Sequence, residues 1–256
     1  MAKLMTHLYY GDPSEAFSMA LVYTLLESGA DILEIGIPFP NPTYDGEVLR
    51  RACKRAIRAG VTPQKVLAAV QQLRKQGVTK PIYLTSYYHS VVATGRDTFL
   101  QQAKKSGAQG FIIPDLPEGE QRKTRSDCRE IGLTLIQLVH TSYSRIALQQ
   151  ALRTTKDFVY CVGAQGITGV RDTINPKTIT LIRKVKRLSD VHAFVGFGIS
   201  TPEHVRTFVR QGTDGVIVGS AIANIYQDHL DNPLKALPRI GAFIKSLKEA
   251  TIQEGI

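Results

Sequence analysis

The chain has little cysteine, and its three cysteines form no pattern. Cys53, Cys128 and Cys161 are odd in number, widely spaced and without histidines at metal-ligand intervals. That excludes a disulfide framework and a zinc site and leaves three reduced, partly buried small hydrophobes. No run of about 18 uninterrupted apolar residues occurs. The opening residues, Met-Ala-Lys-Leu-Met-Thr-His, carry no extended apolar segment before a small-residue cleavage site. No membrane association is expected, and the expected location is cytoplasmic. Low-complexity tracts, linkers and shifts of composition are also missing, and no long-range repeat is visible beyond an alternation of helix and strand. A single domain over residues 1–256 is the expectation.

What is present is enough for one sizeable core: 256 residues, 43% of them hydrophobic, with a net charge of +10. Such a charge raises the question of nucleic acid, but the cations are spread over several helices and are not interleaved with aromatics. The densest group, Arg50, Arg51, Lys54, Arg55 and Arg58, has helical spacing and reads as a solvated helix face. No nucleic-acid partner is expected. A general positive field does favour encounter with an anionic small substrate.

Apolar runs at 4–10, 31–37, 81–87, 110–114, 133–139, 158–163, 193–197 and 215–218 read as eight strands. Between them lie amphipathic helices, and Gly29, Gly77, Gly107, Gly132 and Gly212 each close one shortly before a strand, as a left-handed cap does. Gly11-Asp12-Pro13 supplies a turn, an N-cap and a first-turn proline for the first helix, which runs to Ser28. Eight such units in about 250 residues, many with strands apolar on both faces, indicate a closed parallel (β/α)8 TIM barrel rather than an open doubly wound sheet. Chemistry in such barrels sits at the C-terminal ends of the strands. The informative residues lie there: Asp45 after the second strand, Tyr87 and His89 at the third, Asp115 after the fourth, and Gly198 and Ser220 after the last two.

The chain is organised around residues 31–46. Ile32, Leu33, Ile35 and Ile37 form a buried strand interrupted by one carboxylate, Glu34. A lone acid among branched aliphatics faces a desolvation cost of several kcal/mol unless it is paired, protonated or open to a cavity. Pro38, Pro40 and Pro42 then end regular structure, and a stiff loop returns Asp45 over the strand end, so two carboxylates share one mouth. The plainer alternative makes Glu34 a structural acid held by backbone donors and Asp45 a cap for the helix starting near Glu47. Farther on, 195–200 and 215–221 are apolar strands that each deliver glycine at the C-terminal end. The second runs into the first turn of a short helix at Ser220. Glycine allows close backbone approach, and free N–H groups at a helix N-terminus bind phosphate, at the place after strands seven and eight where many barrels hold it. The loop at 164–176, with two glycines and a polar middle, suits a lid, or is an ordinary surface loop.

Five segments, Leu33-Glu34-Ile35-Gly36-Ile37-Pro38-Phe39, Pro114-Asp115-Leu116-Pro117, Gly166-Ile167-Thr168-Gly169, Gly196-Phe197-Gly198-Ile199-Ser200 and Gly219-Ser220-Ala221-Ile222, resemble the tryptophan synthase α chain family in order and spacing. The resemblance runs from about Leu8 to Ile225. It implies a phosphate-binding barrel that cleaves indole-3-glycerol phosphate to indole and glyceraldehyde 3-phosphate, a retro-aldol reaction with no cofactor, and a possible β-chain partner. By position, Glu34 resembles the family's general acid/base and Asp45 the carboxylate at the indole nitrogen. Tyr160 resembles the tyrosine beside the glutamate, and Thr168 the lid threonine that orders the aspartate. Gly169, Gly198, Gly219 and Ser220 resemble the phosphate ligands. Phe39, Tyr87 and Phe197 are candidates for the apolar walls of the indole pocket.

The chemistry asks for such groups independently. Breaking the bond between indole C3 and its side chain needs a proton at C3, removal of one from the neighbouring hydroxyl, and stabilisation of a transiently cationic ring. A carboxyl that gives and takes protons serves the first two needs and an ionised one the third.

The chain also departs from the family. Where the family usually reads Phe-Ser-Asp-Pro-Leu-Ala-Asp-Gly, it has Phe39-Pro40-Asn41-Pro42-Thr43-Tyr44-Asp45-Gly46. His89 replaces a usual asparagine, His140 and Thr141 replace a small residue and proline, and the helix that usually precedes the first strand has no counterpart. A proline-restricted loop loses less entropy on reaching its active shape, so Asp45 is expected to need less help from a β chain. The rival readings are a related barrel acting on another aryl or sugar phosphate, and a non-catalytic allosteric partner of a β chain.

Overall fold

The computed structural model describes residues 1–163, 174–196 and 198–252. Its strands are β1 (Lys3–Tyr9), β2 (Ile32–Gly36), β3 (Ile82–Thr85), β4 (Gly110–Ile112), β5 (Thr134–Leu135), β6 (Gln137–His140), β7 (Phe158–Val162), β8 (His192–Val195) and β9 (Gly215–Val218). Helices α1 (Glu15–Glu27), α2 (Glu47–Arg58), α3 (Pro63–Lys75), α4 (Tyr88–Ala93), α5 (Arg96–Ser106) and α6 (Glu118–Glu130) occupy the first half. The second half carries α7 (Arg145–Thr154), α8 (Pro176–Leu188), α9 (Pro202–Arg210), α10 (Ser220–Gln227) and α11 (Leu237–Glu249). No described helix is long and apolar enough to cross a membrane.

All strand pairs are parallel, in the order β5-β4-β3-β2-β1-β9-β8-β7-β6. The two ends of that order are neighbours in sequence, separated only by Ile136, whose N–H donates to the Phe111 carbonyl at 2.8 Å. The expected fifth strand is therefore one bent strand. Its first half pairs with β4 and its second half with β7, which carries the nearly closed barrel around. The eight expected strands are all present, and the ninth is this division.

Period-2 alternation sorts the side chains into two cores. Leu33, Ile35, Leu84 and Phe111 point outward into the shell shared with the helices. Met5, Ile32, Tyr83, Ile112, Phe158, Phe194 and Ile217 fill the barrel interior. Met5 pairs with Ile32, and two residues later on the same inward face His7 pairs with Glu34. Glu34 breaks its apolar run because the alternation that sends Ile32 into the lumen sends Glu34 to the next layer up, toward the strand C-terminal ends.

The left-handed glycine caps are present at Gly29, Gly77, Gly107, Gly132 and Gly212, all with positive φ. At Gly107 the conformation is required on two counts, since φ is 92° and a Cβ would lie 2.7 Å from the Arg74 side chain. The cysteines are free, and all three are buried. Of the basic cluster on α2, Arg50, Arg51, Lys54 and Arg58 face solvent.

The start of α1 differs from the expectation. Ser14, not Asp12, is the N-cap, accepting from the Phe17 N–H at 3.2 Å. Asp12 turns inward and is buried, where it accepts from Arg55 at 2.6 and 2.9 Å and from the Tyr226 hydroxyl at 2.6 Å. Burial pushes its carboxyl above the usual range, opposed by the hydrogen bonds from Arg55 and Tyr226. This contact ties the loop after β1 to α2 and α10, the helices that frame the site. Removing one partner of such a pair leaves a buried charge uncompensated. Arg55→Ala is expected to lower unfolding stability by about 3 kcal/mol, and by clearly less in an Asp12→Asn background. Urea denaturation of the single and double variants measures the difference; equal losses in both backgrounds would show that the pair contributes nothing.

Candidate active site

The C-terminal mouth of the barrel holds a narrow pocket whose polar lining includes His7, Glu34, Asp45, Thr85, Tyr160 and Ser220. Glu34, on β2, is 4% exposed. The Thr85 hydroxyl on β3 donates to its Oε1, and His7 Nδ1 on β1 lies 3.1 Å from the same oxygen. Among the described residues Oε2 has no hydrogen-bond partner. The groups holding the carboxylate are therefore side chains of the two flanking strands, Thr85 by a hydrogen bond and His7 at ion-pair distance.

Asp45 reaches this pocket through a loop that the chain itself clamps. The Phe39 N–H donates to Cys53 Sγ and the Cys53 thiol donates back to the Phe39 carbonyl, both at 3.1 Å. The Asp45 N–H donates to the Pro42 carbonyl at 3.1 Å. Tyr44 donates its N–H to the Tyr87 hydroxyl, also at 3.1 Å. Gly46 takes the N-cap position of α2. The Asp45 carboxylate accepts from the Tyr9 hydroxyl and, at 3.4 Å, from that of Tyr87.

Electrostatics follow from this dry arrangement. Burial raises the Asp45 carboxyl above the usual range and Glu34 adds to the rise, while His7 and the hydrogen bonds from Tyr9 and Tyr87 oppose it. Burial alone would depress His7, but the charges of Glu34 and Asp45 outweigh it and the imidazole rises above the ordinary histidine value. Burial, with Asp45 beside it, pushes the Tyr9 phenol far upward, and burial with Glu34 and Asp45 does so for Tyr160. Both tyrosines stay protonated, and Tyr9 serves as a donor to Asp45.

Tyr160 rises from β7 against Gly196; a Cβ on that glycine would lie 2.1 Å from the phenol oxygen, so only glycine admits the ring there. Gly219 and Ser220 also line the pocket, where Gly219 caps the eight-residue helix α10. Gly198 follows β8 in the left-handed region, with φ 76°. Apolar walls come from Leu49, Ile112, Pro114, Leu138, Val162 and Ile217.

The structure thus brings Glu34, Asp45, Tyr160, Gly219 and Ser220 around one pocket. Phe39 and Tyr87 stand elsewhere: stacked at 5.0 Å and 13°, they back the Asp45 loop and do not form the described walls. Thr168, Gly169 and Phe197 lie outside the described residues. His89 is exposed beside Phe39 and does not line the pocket. Asp115 accepts from the Tyr88 N–H at 2.7 Å at the start of α4. His7, Tyr9 and Thr85 belong to the constellation without having been singled out from sequence. The available signal was polar residues at alternate positions of apolar strands, which acquires meaning only with the register that pairs His7 with Glu34 and places Thr85 opposite Gly36.

A family model for the tryptophan synthase alpha chain matches residues 1–252. The chain is 36% identical over 251 residues to the tryptophan synthase alpha chain of Carboxydothermus hydrogenoformans, covering 97% of this chain and 93% of that one. It is 41% identical over 213 residues to that of a Geobacillus species, covering 83% and 80%. Among solved structures, tryptophan synthase of Mycobacterium tuberculosis superposes with a TM-score of 0.88 at 31% identity, over 99% of this chain and 93% of the other. The barrel, the paired carboxylates at its mouth and a match across nearly every residue agree: the chain belongs to the tryptophan synthase alpha chain family, the lyases that cleave indole-3-glycerol phosphate to indole and glyceraldehyde 3-phosphate in tryptophan biosynthesis.

Proposed function

We propose that this chain performs its family's cleavage in the pocket between Glu34 and Asp45. The observation that carries the reading is the convergence of two buried carboxylates on one apolar pocket that is also lined by a helix N-terminus at Gly219 and Ser220. Glu34, with Oε2 unpartnered, gives a proton to indole C3 and takes one from the side-chain hydroxyl. Asp45, whose carboxyl is raised by burial while His7, Tyr9 and Tyr87 oppose that rise, stabilises the ring cation at the indole nitrogen. Tyr160 closes the wall beside Glu34. The first N–H groups of α10 have no intrahelical partners, and those after Gly219 receive the phosphate together with Gly198; Gly169 and Thr168 complete the phosphate site and lid. No cofactor takes part.

The family pairs with a β chain. We infer that this chain does so through a surface altered at Pro40, Asn41 and Thr43, which face solvent, and that it acts in the cytoplasm. The clamp from Cys53 and the hydrogen bonds from Tyr9 and Tyr87 hold Asp45 in place without a second chain. Indole release by the purified chain alone is therefore expected to be substantial, with little stimulation by a saturating β chain from the same source. A negligible basal rate that the β chain raises strongly would overturn this point.

Glu34→Gln keeps volume but removes the titratable proton, and is expected to lower kcat for indole release by about a hundredfold or more with the barrel still folded. Near-normal turnover would make Glu34 structural. At Gly219 a Cβ would already lie 3.1 Å from the His7 side chain, so Gly219→Val is expected to crowd the pocket and raise KM. Calorimetric titration with glycerol phosphate checks this; unchanged affinity would move the anion site elsewhere.

A further inference from the structure

We propose that His7 is a positioning residue for the cleavage, acting through Glu34 as the reservoir of the proton that Glu34 delivers to the substrate. The inference rests on the function proposed above and adds a residue to it.

His7 faces the lumen from β1 in register with Glu34, and its Nδ1 lies 3.1 Å from Glu34 Oε1. The ring is buried and lines the pocket, and among the described residues neither Nδ1 nor Nε2 makes a hydrogen bond. It is packed closely by neighbours: Tyr9 meets it edge-to-face at 5.2 Å, and Gly36 and Gly219 approach it tightly. A Cβ at either would lie 3.1 Å from the imidazole or its stem. A histidine needed only for packing does not require a ring nitrogen within ion-pair distance of a carboxylate oxygen already served by Thr85.

The titratable groups facing His7 are Glu34 from β2, Asp45 from the loop after it, Tyr9 on its own strand, and Tyr160 across the pocket from β7. Gly219 and Ser220 on the α10 side bring no charge. The two carboxylates favour the imidazolium over the neutral ring despite burial. The imidazole therefore holds the proton at rest.

In the forward step, His7 Nδ1 gives its proton to the Glu34 carboxylate, and the carboxyl so formed gives one proton to indole C3, leaving a neutral imidazole and a carboxylate. As the carbon–carbon bond breaks, its electron pair restores the aromatic ring, and the hydroxyl proton lost in forming the aldehyde goes to Glu34 and back to His7. One proton enters and one leaves, and the pair returns to its starting state. Because only the protonated imidazole can supply the proton, kcat falls as pH rises through the raised His7 value. KM, set by the indole walls and the phosphate site, is little affected.

The test combines activity with a direct titration of the intact chain. In the wild type, NMR of nitrogen-labelled histidine should show His7 titrating above the ordinary histidine range and falling back in Glu34→Gln. His7→Phe, with His7→Asn as a second variant should the first not fold, is expected to lower kcat about tenfold or more, change KM less than about threefold, and abolish the alkaline fall of kcat. A His7 that titrates at or below the ordinary value, or a folded variant with unchanged kcat and pH profile, overturns the proposal. If the wild type releases no indole at any pH, the functional reading fails and the proton step with it. The titration in Glu34→Gln still reports separately whether the two residues are coupled.

Discussion

Two carboxylates and an imidazole share one water-poor pocket, and most of the structure's distinctive contacts exist to make that tolerable. Glu34 and Asp45 are 4% and 8% exposed, so neither is hydrated enough to be stable as a lone charge. Each has been given partners from different parts of the barrel mouth: the Thr85 hydroxyl and the nearby His7 ring for Glu34, the Tyr9 and Tyr87 hydroxyls for Asp45. Each partner sits at a strand C-terminal end, or just past it. The parallel barrel is what makes this possible, because β1, β2 and β3 end side by side and all offer their last inward residues to the same space.

The frame around the pocket repeats the same logic at a second level. Asp12 leaves the end of β1 and is buried with Arg55 and Tyr226, fastening α2 and α10 to that strand. Helix α2 begins directly after Asp45, and α10 begins at Gly219, so the ion pair fixes the two helix starts that bound the site. Cys53, also on α2, holds the proline-rich loop from below through Phe39. The loop's departures from its family lie on its outer face at Pro40, Asn41 and Thr43 and also at half-buried Tyr44, which lines the pocket beside Asp45, while Pro42 is buried.

Much of this was legible in the sequence, for physical reasons. An acid in an aliphatic strand demanded an explanation, glycines after strands marked helix ends and phosphate-sized space, and the eightfold alternation implied a barrel. The division of the fifth strand at Ile136 was not legible, because a bend that switches partners leaves the apolar run unbroken. Asp12 read as a helix cap because Asp-Pro before a helix has that local meaning; its true role depends on Arg55, 43 residues away. Phe39 and Tyr87 read as pocket walls because aromatics near strand ends often are, yet here they stack on each other behind the loop. His7 became informative only once strand register set it against Glu34.

The central claim is that this pocket breaks a carbon–carbon bond by protonating indole C3 through Glu34. It is tested most directly by incubating the purified chain with indole-3-glycerol phosphate in deuterated water and locating the label in the product by NMR. The account predicts indole carrying deuterium at C3 and nowhere else on carbon, formed by the wild type and at most slowly by Glu34→Gln. Indole without deuterium at C3, or equal rates of labelling in the two proteins, would contradict it.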